Sequence, residues 1–97
     1  MQTKLEVIET IKLNKHRIEA EFGVTKIGVF GSVARDEANA KSDIDIAVEM
    51  KSENKFRNFM ALERYLKKLL GNRIDLGIES ALKPTVRDGI RKEIVYV

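Results

Sequence analysis

The sequence predicts a small α/β (α+β) fold, a small mixed sheet with helices packed on one face and the other face open. Two longer segments repeat apolar residues at helical spacing, and several short segments alternate apolar and polar residues with period two. Opposite the aliphatic side of those short segments stand small residues, Gly28, Ala47 and Gly77, which would leave room for a ligand on the uncovered face.

Leu5, Ile8, Ile11, Ile18 and Phe22 fall at helical spacing among Lys, Glu and Arg, so residues from about 3 to 21 read as one amphipathic helix ended by Gly23. "TKIGVF" (25–30) reads as a first strand and "DIDIAVEM" (43–50) as a second, with a Gly-Ser turn and a short helix between them. Residues from about 53 to 70 carry Phe56, Phe59, Leu62, Leu66 and Leu69 on one stripe, with Gly71 just past the end, and form a second strong helix. "RIDLGI" (73–78) is a third strand. A short helix opened by Pro84, with Leu82, Val86 and Ile90 apolar, follows, and "EIVYV" closes the chain as a fourth strand.

A length of 97 residues supports one compact domain, residues 1–97, and leaves no space for a second. The formal charge of +3 is spread through the chain without a dense basic tract, and the sheet has no stacking array of aromatics, so a nucleic-acid-binding module is the least supported class. No segment reads as a membrane span or a signal-peptide core. The chain has no cysteine, which removes a disulfide framework, a thiolate metal site and a cysteine nucleophile together and fits a cytoplasmic address. His16, with no other His and no acidic partner at ligand spacing, reads as a partly exposed helix residue. Tyr65 and Tyr96 read as packing aromatics.

The chemistry gathers in "GSVARDEANAKSDIDIAVEM" (31–50). Side chains two apart on a strand point the same way, so Asp43 and Asp45 share one face with Ala47 while Ile44, Ile46 and Val48 share the other. Taken alone, such a pair is as compatible with a solvated edge as with a cation site. Paired carboxylates repel, and a divalent cation relieves them; magnesium, which takes oxygen ligands and keeps company with phosphates, suits a pair without His or Cys nearby. Asp75 on the third strand would be a third ligand or the base for an attacking hydroxyl, in a site with room for two ions about 3.5–4 Å apart. Gly31 lets the backbone approach a phosphate, and Ser32 adds an N–H and a hydroxyl at a helix start. Arg35 is evenly balanced between neutralising phosphate and lying solvated, whereas Lys41 reads as solvated. Lys41-Ser42 imitates the end of a P-loop, but Ala40 stands where glycine is needed and the pair enters a strand instead of a helix.

"GS", ten residues, then "DID", with "IDL" on a later strand, resembles the minimal nucleotidyltransferases of the polymerase-beta superfamily, many of them antitoxins paired with a HEPN-type ribonuclease toxin. The resemblance covers nearly the whole chain. It implies a polymerase-beta-like nucleotidyltransferase fold with the active site on the open face. It further implies that Gly31 and Ser32 contact the triphosphate, that Asp43 and Asp45 coordinate magnesium, and that Asp75 is the third carboxylate. The implied reaction is attack of a hydroxyl on the α-phosphate of ATP with release of pyrophosphate, the AMP passing to a tyrosine of the partner toxin. A domain of this length cannot present its own acceptor, so the partner must supply that surface. The alternative in another class is an antitoxin that neutralises its toxin by binding alone.

Overall fold

The computed structural model describes residues 3–51 and 53–97. The first expected helix is two: α1 spans Lys4–Leu13 and α2 spans Lys15–Phe22. Thr3 and Glu6 start α1 with a reciprocal capping box, which satisfies two otherwise orphaned N–H groups. The break lies at Asn14, whose own N–H donates to the Ile11 carbonyl (3.1 Å) while its side-chain amide donates to the Thr10 carbonyl (2.8 Å). An Asn side chain competing for helix carbonyls in this way tightens and ends the turn. Across the break Val7, Ile11, Ile18 and Phe22 still face the core. Leu5, expected on that face, is 64% exposed, and Val7 takes its place.

Gly23, at φ +69°, ends α2 and leads into β1, Val24–Phe30. A short helix α3, Gly31–Ala34, and a turn around Asn39 and Ser42 connect it to β2, Ile44–Met50. Lys41 donates its N–H to the Asn39 side chain within that turn, which is no phosphate loop. Helix α4, Lys55–Leu70, buries Leu62, Leu66 and Leu70, with Phe59 and Leu69 half-buried beside them. Phe56 is 81% exposed, since it lies at the helix start and off that stripe. Gly71, at φ +62°, caps α4 before β3, Ile74–Ile78. A 3-10 turn (Glu79–Ala81), helix α5 (Pro84–Arg91, with Pro in its first turn) and β4 (Val95–Tyr96) complete the chain.

The four strands form one sheet in the order β3-β2-β1-β4. β1 runs antiparallel to β2 and β4, and β2 runs parallel to β3 with α4 as the crossover, so the sheet is mixed as expected. One face presents Ile27, Val29, Ile44, Ile46, Val48, Ile74 and Leu76 to α1, α2 and α4, all of them buried. Each such side chain contributes about 1.5–3 kcal/mol to folding by leaving water.

The opposite face is open only at one end. The space expected above Gly28 is filled by this chain: a Cβ there would lie 2.8 Å from the Ile94 side chain and 3.0 Å from Tyr96. Gly77 faces Leu82 at an ordinary contact distance. Under this cover Glu79, 1% exposed, accepts hydrogen bonds from Tyr96 Oη (2.6 Å), Lys26 Nζ (3.1 Å) and Arg91 (3.3 Å). Tyr96 is therefore more than a packing aromatic; Tyr65, with its ring 5.2 Å from that of Phe22, does pack. Among the described residues no helix is long and apolar enough to cross a membrane.

Candidate active site

The uncovered end of the sheet is where β1 turns into α3. Gly31 has φ +72°, a conformation that disfavours side chains, and a Cβ on it would collide with Oδ2 of Asp45. Both constraints demand glycine. The sheet register explains the proximity: Phe30 is paired with Asp45 across β1 and β2, and Asp45 with Asp75 across β2 and β3. Residues directly opposite on neighbouring strands share a face. The backbone bend and two of the three aspartates are thereby brought together.

Burial pushes the Asp45 carboxyl up to about 6, and Asp75, through its charge and a hydrogen bond, pushes in the same direction, with the Asp43 charge adding to it and Arg35 opposing. A carboxyl that shares a hydrogen bond with its neighbour holds its proton longer than a solvated one. Asp43 lies exposed just before β2 and pairs with Arg73 at 3.0 Å. Arg73 also donates to the Lys41 carbonyl at 2.6 Å, so it ties the turn before β2 to the start of β3. Among the described residues no three His, Cys, Asp or Glu side chains are gathered into a group that could hold a metal.

The donors expected for phosphate are adjacent and already in use. Gly31 N–H donates to Glu93 Oε1 (3.1 Å), and Arg35 donates to Glu93 Oε2 (2.8 Å) and to Glu37 (3.2 Å). Ser32 follows Gly31, half-buried, and its carbonyl accepts from Glu37 N–H (2.8 Å). The Arg35 guanidinium and the Gly31 amide together hold the Glu93 carboxyl below its usual range.

Arg73 and Glu93 escape a reading of the sequence. Arg73 had a signal, since "RID" beside "DID" in register sets Arg73 next to Asp43. Glu93 had none, being 62 residues from its Gly31 partner. His16, expected to be partly exposed, is exposed on α2. The donor set at the open end is thus oxygen only. Mutually repelling carboxylates of this kind fit a hard cation such as magnesium and would not select zinc.

Residues 11–97 match the nucleotidyltransferase domain family. The protein adenylyltransferase MntA of Thermococcus cleftensis is 44% identical over 94 residues, covering 96% of this chain and 95% of that protein. A solved structure provisionally named a minimal nucleotidyltransferase superposes with a TM-score of 0.75 at 32% identity, over 90% of this chain and 92% of that one. A toxin-antitoxin structure with AMP-PNP shares the fold with a TM-score of 0.71 at 18% identity, over 88% of this chain and 70% of that one. A match across most of the chain, a relative this close and a sheet whose open end gathers carboxylates beside a glycine bend agree: the chain belongs to the nucleotidyltransferase domain family, and nucleotidyl transfer is its enzymatic activity.

Proposed function

We propose that this domain transfers AMP from ATP, with magnesium, to a tyrosine of a cognate HEPN-type toxin and so neutralises it as a cytoplasmic antitoxin. The observation that carries the reading is the register that sets Asp45 opposite Asp75 with Asp45 against the Gly31 bend. The adenylyltransferase name of the Thermococcus relative supports AMP as the group moved, and the fold shared with the toxin-antitoxin structure is consistent with a toxin as acceptor.

Asp43 and Asp45, with Asp75, are the residues that would hold magnesium. When bound, the ion draws charge from the triphosphate and eases ionisation of the attacking hydroxyl. Gly31 N–H, Ser32 and Arg35 would donate to phosphate oxygens. The tyrosine oxygen bonds to the α-phosphorus, the bond to the bridging oxygen breaks, and pyrophosphate leaves with its electrons. Asp75, which is exposed on β3, would take the hydroxyl proton. This assignment uses all three carboxylates, and it requires Arg73 to release Asp43.

Purified protein with labelled ATP, magnesium and the protein of the adjacent gene should label that protein, and the double variant Asp43→Asn/Asp45→Asn should abolish labelling while still folding. A partner that forms the complex without acquiring label, and remains neutralised by the double variant, would establish neutralisation by binding alone.

A further inference from the structure

The two donors aimed at the phosphate position, Gly31 N–H and the Arg35 guanidinium, meet at one carboxylate, Glu93. An N–H serves one acceptor at full strength, and a carboxylate presents the same geometry as two oxygens of a phosphate. From this coincidence we infer that Glu93 is an internal occupant of the triphosphate cradle, a residue that sets nucleotide affinity by having to leave before phosphate binds. The inference rests on the reading of Gly31 and Arg35 as triphosphate contacts.

The surroundings define how Glu93 leaves. On one side of it Arg91 is held by Glu79, and on the other Tyr96 is held by the same carboxylate. Ile94 lies against Gly28, where the gap is too small for a methyl group. The Val97 N–H donates to the Ile27 carbonyl at 2.9 Å, fixing the chain end to β1. With its backbone pinned at both ends, Glu93 vacates the cradle by rotating its side chain, and no lid moves. Its negative charge also opposes the arriving triphosphate until it turns away. Arg35 is exposed and retains Glu37 as a second partner, so it keeps its place on the open side when Glu93 departs.

Calorimetric titration with Mg-ATP and with adenosine, using the full chain, separates this role from a structural one. Glu93→Gln keeps the size and removes the charge; it should bind Mg-ATP about tenfold more tightly, the scale of one charge-assisted competitor removed, with adenosine binding unchanged. Glu93→Ala should do the same, and in amide spectra of either folded variant without nucleotide the Gly31 N–H resonance should move. Unchanged or weakened Mg-ATP binding in both folded variants would overturn the inference. Weakened binding would show that Glu93 orients Arg35 for phosphate. Equal gains for adenosine and Mg-ATP would likewise count against a cradle occupant. If neither the wild-type protein nor either variant binds Mg-ATP, with the cognate partner present or absent, the phosphate reading of Gly31 and Arg35 fails and the inference falls with it; binding by the wild type with no gain in the variants sinks the inference alone.

Discussion

Asp45 carries the tension between folding and chemistry. Its carboxyl is pushed from an ordinary 3.8 up to about 6, first by burial and then by Asp75. A raised value in the folded state means that folding favours the neutral acid. The associated stability is fully present below pH 4 and is lost as pH rises through about 6, after which the ionised group costs on the order of 1 kcal/mol, allowing for its partial contact with water. Asp45→Asn should therefore raise the thermal midpoint at pH 7.5 by about 4–8 °C in metal-free buffer and change it little at pH 4. A midpoint unchanged at both pH values would show that Asp45 is unstrained. Asp43, Asp45, Gly31 and Ser32 are legible in the sequence because they lie on one short segment, where strand periodicity and glycine chemistry fix their relation. Asp75 is legible because a strand beginning "RID" repeats the pattern of "DID". Glu93 depends on distant chain segments meeting in three dimensions, and its charge has no distinctive local setting, whereas the signal for Arg73, "RID" beside "DID", acts only once those two strands are paired.

Among the elements, the same periodicities give each strand and α4 within a residue or two, and the short helices α3 and α5 fall where turn and proline chemistry put them. The exception is informative. Ile11 and Ile18 are seven apart, a spacing that a continuous helix and a tightly broken pair satisfy equally, so periodicity cannot report the break at Asn14. The side chain decides it, through bonds to the Thr10 carbonyl and from the Tyr65 hydroxyl at 3.3 Å. Asn14→Ala should remove both and lower stability by about 1 kcal/mol, seen as a lower midpoint in urea with an unchanged slope. No change in the midpoint would mean that the backbone breaks there without help from the side chain. β4 is shorter than the sequence implies because the Glu93 and Ile94 N–H groups donate back to the Ile90 carbonyl at the end of α5 (3.0 and 2.9 Å) instead of joining the ladder.

Across the whole molecule, one face of the sheet is core and the other is divided between a covered half and an open half. The cover is held by Glu79, a buried carboxylate whose partners come from β1, α5 and β4. Burial alone would push its carboxyl up, but the bonds from Tyr96 and Lys26 bring it below its usual range. No local pattern announces such a residue, and the expectation of room above Gly28 failed for the same reason: small residues on a strand signal close approach, and here the approaching group is the chain itself. Glu79→Gln should cost about 2 kcal/mol, less than a fully buried pair because Lys26 and Arg91 keep contact with water. Denaturation in urea with an unchanged midpoint would deny Glu79 that role. In the proposed site Asp45, beside Asp75 and the Gly31 bend, would receive the magnesium-bound nucleotide. The most direct test is a carbon-13 NMR titration of the Asp45 carboxyl with and without Mg-AMP-PNP. The expected result is a midpoint near pH 6 in the free protein that falls below the ordinary aspartate range when Mg-nucleotide is added; a midpoint near 4 that nucleotide and magnesium leave unmoved would contradict it.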